Sequence, residues 1–318
     1  MAKRIGLPRK LLRLLGPVLF LFILIKIDIG QTLQTLGALR LSWLAAALVL
    51  YPLLVLLKAW RWRLLLRQQD LDYALTTAFL AYNSSLAVGY VTPGRLGEFV
   101  KALYLRKDLG LSTGFAFSSV LLERLLDLYA LTATALVGMV VLALPQQMVI
   151  LALPVLAAVG LLPLLVLVPR ANRRIMALAV TAVTSLVPEP YREDATHSLS
   201  GFQHGIQELL SSKLLLPVAV TAVAYSLFYS QSYLVAASLA LPISYGFAAF
   251  CVSLGSLMAL LPISISGLGV RELTFVLVLG TVGLAPETAV SYSLLFLLVF
   301  NVFGGLLGAL AWFLKPLR

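Results

Sequence analysis

Charged side chains within apolar stretches are the feature of this sequence with the most chemistry to explain. They lie in or beside three apolar segments and are Arg95, Glu98, Glu123, Arg124, Asp127, Arg271 and Glu272. An Arg, Lys or Asp at the centre of a membrane helix costs about 2.5–3.5 kcal/mol on insertion scales, so it is kept for pairing or for function. Arginines present a fork of donors that fits phosphate, and carboxylates can accept from a cation or take up a proton.

The spacing of these residues predicts how they are presented. Glu123 and Asp127 are four residues apart and therefore share one face of a helix. At ~1.5 Å per residue, Glu123 lies roughly 16 Å along its helix from Ser112, near the middle of a membrane. Arg124 is the direct neighbour of Glu123, so its partner is expected to come from another helix.

Two interpretations of the charges stay open at this point. In the structural one they only pair internally, Arg95 with Glu98, and Arg124 with a nearby acid. The candidate partners of Arg124 are Glu123, Asp127 and Glu272. In the functional one they line a cavity that admits a lipid headgroup, with Arg95, Arg124 and Arg271 holding its phosphate. The carboxylates would then hold a cationic headgroup, orient the arginines or take up protons.

Helix-breaking residues stand immediately before two of the charged groups. They are Pro93, Gly94 and Gly97 in the first segment and Pro262, Gly267 and Gly269 in the second. A broken helix at membrane depth is tolerated only where protein or a water-filled cavity satisfies the freed backbone. Residues 73–107 and 245–283 are therefore predicted to form re-entrant hairpins of two half-helices, whose N-termini would offer N–H donors to an anion. A complete transmembrane pair in place of each hairpin would preserve the same topology and is the alternative.

The two hairpins also look like copies of one another. Tyr73 and Tyr245 open them, and Gly94 and Gly267 stand at the breaks, at a nearly constant offset along the chain. The half-repeats are predicted over about 70–144 and 242–314, entering from opposite faces of the membrane. Such an inverted repeat is typical of secondary transporters. Chance similarity between apolar segments is the alternative explanation.

The composition predicts one integral membrane domain over 1–318. The chain is 61% hydrophobic and 12% charged, whereas soluble domains are about 25% charged. Six spans are predicted, at 11–27, 41–59, 112–144, 148–168, 214–241 and 286–313. The predicted fold is thus an all-α polytopic membrane protein with about six transmembrane helices and two re-entrant helical hairpins in an inverted repeat.

The basic residues predict the orientation of this domain. With both termini in the cytoplasm, nearly every loop Lys and Arg falls inside, including Arg61 just after the second span. The formal charge of +11 is then a topological signal, and no basic water-facing domain for nucleic acid is present. The polar stretch 188–213 is expected to hold most of the soluble loop, with His197 and His204 solvated.

No cofactor, metal or catalytic site is predicted. Cys251 is the single cysteine, and neither His197 nor His204 has further ligands nearby in the sequence. The sequence contains no Gly-rich phosphate loop, no HExxH pattern and no nucleophile elbow.

Three stretches in this order resemble the membrane domain of lysylphosphatidylglycerol synthases, a domain that also occurs alone in flippase-like proteins. They are the runs 93–98, 123–127 and 262–272. The resemblance covers nearly the whole chain and implies a stand-alone member without the synthase domain. It implies translocation of a lipid across the prokaryotic cytoplasmic (inner) membrane, with the seven charged residues above as the polar positions.

The resemblance does not identify the lipid that is transported. A membrane phospholipid or a polyprenyl-phosphate-linked lipid is the expected partner, a separate lipid-synthesising enzyme would supply it, and a homo-oligomer is a further option. The alternatives are a membrane-embedded transferase acting on a lipid phosphate, an ion or solute secondary transporter, and an accessory subunit whose charges serve assembly.

Overall fold

The computed structural model describes residues 15–142, 157, 189–211, 214–261, 264 and 267–317. Within these ranges the chain is helical and contains no strands, which confirms the all-α prediction. The helices are α1 (Leu15–Lys26), α2 (Ile29–Gly37), α3 (Leu41–Gln68), α4 (Leu75–Tyr90), α5 (Val100–Leu109), α6 (Thr113–Val141), α7 (Glu189–Ser211), α8 (Leu215–Ser238), α9 (Tyr245–Ala259), α10 (Val270–Gly280) and α11 (Pro286–Leu314).

Four of the described helices are long and apolar enough to cross a membrane: α3, α6, α8 and α11. They correspond to the predicted second, third, fifth and sixth spans. The described part of the first predicted span is α1, of 12 residues, and the fourth predicted span, 148–168, lies outside the described residues except for position 157. The chain is therefore an integral membrane protein.

Helix α3 continues well beyond the predicted end of the second span at residue 59. It runs to Gln68, and Arg61 and Trp62 are fully buried within the protein. The interpretation of Arg61 as a loop cation exposed to the cytoplasm is therefore wrong. Arg61 is held inside because two carboxylates of α6 neutralise it.

The first predicted helix break is present after α4. The helix ends at Tyr90, and a 3-10 turn at Leu96–Phe99 leads into α5. Gly97 packs so closely on the end of α4 that a Cβ there would lie 2.5 Å from the backbone of Val88. This contact requires glycine, and it folds the turn back against the helix it follows.

The second predicted break separates α9 from α10. Gly267 has φ +78, and a Cβ on it would lie 2.3 Å from the Cβ of Ala259, so only glycine fits there. The backbone N–H of Gly269 donates to Glu272 and caps α10. The predicted hinge at Pro262 lies outside the described residues.

The polar stretch that was expected to form a soluble loop contains a long helix instead. Helix α7 packs along α6, where Gly201 and Gly205 face Ser112 and Ser118. His197 and His204 are exposed, as expected, and the ring of His204 lies 5.9 Å from that of Phe115 on α6. Sequence reasoning did not predict this helix, because small residues on both helices permit a close packing that polarity alone does not reveal.

Replacing Gly114 by alanine is expected to lower the free energy of unfolding by about 1–3 kcal/mol, the usual range for overpacking. A Cβ at this position would lie 1.6 Å from the carbonyl oxygen of Ser198, so α7 must move away from α6. Thermal unfolding in detergent measures the effect. Gly246→Ala is the matched control, because nothing lies within 4 Å of a Cβ there; equal melting of the two variants would contradict the close packing of α7.

Candidate functional site

Glu123 is the centre of a buried charged network. Its carboxylate accepts from Arg61 and from Lys101, and from the hydroxyl of Tyr82 at 2.7 Å. The Nε of Arg124 lies 3.4 Å away. The side chains of Glu123, Arg61 and Lys101 are all inaccessible to solvent. A carboxylate so deep in the protein stays ionised only with this many donors around it.

Asp127 and Glu98 extend the network toward a cavity. Asp127 pairs with Lys58 at 3.2 Å, with Arg61 at 2.8 Å and with Arg124 at 3.5 Å. Glu98 pairs with Arg124. We call the whole set the charged network; its members are Lys58, Arg61, Glu98, Lys101, Glu123, Arg124 and Asp127.

Helix periodicity explains how these side chains meet. Asp127 lies one turn after Glu123 on α6, so both carboxylates point the same way. Lys58 and Arg61 are three residues apart on α3, and present two cations to them. The turn at Leu96–Phe99 brings Glu98 to the same place, and Lys101 follows in the first turn of α5.

Sequence reasoning missed Lys58, Arg61 and Lys101 as members of this site, together with Tyr82. A signal was present: Lys58 lies in a strongly apolar stretch, three residues before Arg61, and Lys101 follows Glu98 at the same spacing. Charges at helical spacing on an apolar segment mark a buried polar face. The run Arg61, Arg63 and Arg67 concealed that signal, because it matched the pattern of a cytoplasmic loop.

Arg271 and Glu272 are buried but pair with each other. Their side chains meet at 2.8 Å, and both also contact the hydroxyl of Ser293 on α11. Within the described residues no ion pair joins them to the charged network, so the suggested pairing of Arg124 with Glu272 does not occur there. Arg271 stacks on the ring of Phe296 at 5.5 Å, and that ring forms part of the cavity wall.

Arg95 lies apart from the acidic side chains. Its suggested partner, Glu98, pairs with Arg124 instead, and Arg95 makes no ion pair with any described residue. The guanidinium lies over the ring of Tyr90 at 5.5 Å, and its buried Nε has no hydrogen-bond partner among the described residues. Its backbone has φ 55 and ψ 29, a left-handed conformation that is uncommon for a residue with a side chain.

The charged network and Arg95 meet at a cavity of about 620 Å³. Its charged lining consists of Lys58, Arg95, Glu98, Arg124 and Asp127. Most of the remaining wall is apolar and comes from α3, α6, α8, α9 and α11. A π-helical turn at Leu297–Phe303 interrupts α11 beside it, and such turns are frequent at functional sites.

These features define a polytopic helical membrane protein with a charged cavity between its helices. The family model described as the lysylphosphatidylglycerol synthase TM region matches residues 11–308. The chain therefore belongs to this family, which relates it to lipid handling in membranes. No curated protein and no solved structure matches it significantly.

Proposed function

We propose that this protein moves a phospholipid or a lipid-linked headgroup between the two leaflets of the membrane. The observation that carries the proposal is the cavity, whose lining combines a cluster of charged side chains with mostly apolar walls. A lipid has the same division, with a polar headgroup and hydrocarbon chains. The headgroup would lie against Arg95 and Arg124 while the chains stay in the bilayer.

The energetics of lipid movement favour such a site. A bare headgroup in hydrocarbon loses its hydrogen bonds to water, which costs several kcal/mol for each unpaired polar group. Cavity-facing donors and acceptors would replace those bonds at membrane depth. The buried pairs of the charged network are already formed within the protein, so the network would offer its cavity-facing groups without rearranging them.

The architecture we propose for this transport is an inverted repeat of two re-entrant hairpins, with about six full spans. In support, α5 has 10 residues and α10 has 11, so at ~1.5 Å per residue each is roughly half as long as the ~30 Å core of a bilayer. Each follows a break that contains a left-handed glycine, Gly94 or Gly267. We place the protein in the prokaryotic inner membrane with both termini in the cytoplasm.

Reconstitution into liposomes tests the proposal. Phospholipids labelled on an acyl chain are added during reconstitution, and a membrane-impermeant reductant then bleaches the outer-leaflet label. Protein-containing vesicles are expected to lose nearly all of the label, because inner-leaflet lipid reaches the outside, whereas protein-free vesicles lose about half.

Two outcomes separate transport from artefact. A trapped soluble dye should keep its fluorescence in the same vesicles, which excludes leakage of the reductant. If every lipid class tested, polyprenyl phosphates included, moves no faster than in protein-free vesicles, the proposed function is refuted.

A further inference from the structure

The charges around the cavity are unequal in number. The cations are Lys58, Arg61, Arg95, Lys101 and Arg124. The carboxylates are Glu98, Glu123 and Asp127. With all of them ionised, the cations in this described part of the structure outnumber the carboxylates by two. Arg95 accounts for one charge of this excess, since it makes no ion pair with a described carboxylate.

The carboxylates are already engaged by the protein's own cations. Glu123 contacts Arg61, Lys101 and Arg124, and Asp127 contacts Lys58, Arg61 and Arg124. An ammonium group entering the cavity would have to displace one of these cations, or lie beside them and be repelled. The site is therefore poorly suited to a headgroup that carries a positive charge.

Arg95 and Glu98 offer the opposite kinds of hydrogen bond. The Nε of Arg95 is a buried hydrogen-bond donor, and the Oε1 of Glu98 is a buried hydrogen-bond acceptor. Neither atom has a hydrogen-bond partner in the described part of the chain. Both residues line the cavity. Phosphate oxygens would accept from Arg95, and a hydroxyl would donate to Glu98 without adding positive charge.

We infer that the cavity selects lipids with an anionic phosphate ester whose headgroup beyond the phosphate is uncharged and bears hydroxyls, such as glycerol or a sugar. Arg95 binds the phosphate and Glu98 accepts from the hydroxyl. This inference rests on the proposed function and narrows its cargo. Aminoacylated and zwitterionic lipids are disfavoured because their ammonium groups meet the excess of positive charge.

The experiment compares acyl-chain-labelled lipids that differ only in headgroup, in the same proteoliposomes. Phosphatidylglycerol is anionic with hydroxyls, phosphatidylmethanol is anionic without them, phosphatidylethanolamine is zwitterionic, and lysylphosphatidylglycerol is cationic. We expect phosphatidylglycerol to move at least about tenfold faster than the two ammonium-bearing lipids, the scale of one charge-assisted hydrogen bond. Phosphatidylmethanol should fall between them.

The matched variants are Arg95→Gln and Arg106→Gln. Arg106 is an exposed arginine on α5, outside the cavity lining. Arg95→Gln should remove the preference for phosphatidylglycerol, and Arg106→Gln should keep it. A glycosylated polyprenyl phosphate is the second substrate to be tested, because it carries the same phosphate and hydroxyl groups on a different lipid.

The outcomes are distinct. Equal rates for all headgroups, or faster movement of an ammonium-bearing lipid, would overturn the inference and leave the transport function standing. No movement of any lipid would refute the function itself. Thermal stabilisation by millimolar inorganic phosphate equal to that by phosphatidylglycerol would assign the site to a soluble anion and also overturn the inference.

Discussion

Arg95→Gly is expected to slow the movement of phosphatidylglycerol in liposomes at least about tenfold, while leaving the stability of the folded protein unchanged within about 1 kcal/mol. The left-handed backbone at φ 55 is costly for arginine and free of that cost in glycine. The loss of the contact with the Tyr90 ring lowers the stability by an amount similar to the gain from relieving this backbone strain. No ion pair with a described residue is lost, so these two opposing effects set the expected change in stability.

The measurements are the bleaching assay and thermal unfolding in detergent, made on the same preparation. Asp70→Gly is the matched control, since Asp70 is exposed and has φ 53. It relieves the same backbone strain away from the cavity and should retain transport. An Arg95→Gly protein that transports normally would show that the guanidinium does not bind the cargo, and one that fails to fold would show that it is structural.

Glu123→Gln is expected to destabilise the protein by about 3–5 kcal/mol, the cost of breaking a buried ion pair from one side. Glutamine keeps the shape of the side chain but removes the negative charge shared by Arg61, Lys101 and Arg124. The first two have no access to water. Within the network, only Asp127 and Glu98 would then remain to balance the positive charges of Arg61 and Lys101.

Thermal unfolding and the yield of monodisperse protein in detergent measure this loss. Glu193→Gln makes the same change on the exposed side of α7 and should be neutral. The double variant Glu123→Gln/Lys101→Met should regain part of the stability, because it removes one of the uncompensated cations. If Glu123→Gln melts like the unsubstituted protein, the network does not hold the helices together.

The two substitutions test the two interpretations that the sequence leaves open. Internal pairing and cargo binding need not be alternatives, because different residues can serve them. Glu123 contacts only protein groups in the buried part of the network, and Arg95 faces the cavity with no acidic partner in the described chain. We therefore expect stability to follow Glu123 and transport to follow Arg95.

The helical membrane class and the family were accessible from the sequence. Both depend on properties that can be judged without knowing how the helices pack. The apolar content is too high for a protein whose surface faces water, and Pro93, Gly94 and Gly97 interrupt a helix whatever its neighbours are. The motifs around Arg95, Glu123 and Arg271 indicated the family that residues 11–308 match. Sequence reasoning missed Lys58, a cation that lines the cavity, because it treated this residue as part of an apolar membrane span.

The pairing of the charges was decided by tertiary structure alone. Glu98 pairs with Arg124, although Arg95 is closer to Glu98 in the sequence, because the turn at Leu96–Phe99 directs Glu98 toward α6. Arg61 joins Glu123 and Asp127 only because α3 and α6 lie side by side. Ion pairs depend on distances between helices, and those distances follow from small contacts such as Gly97 on Val88. Composition and spacing predict which side chains must be buried, whereas helix packing selects their partners.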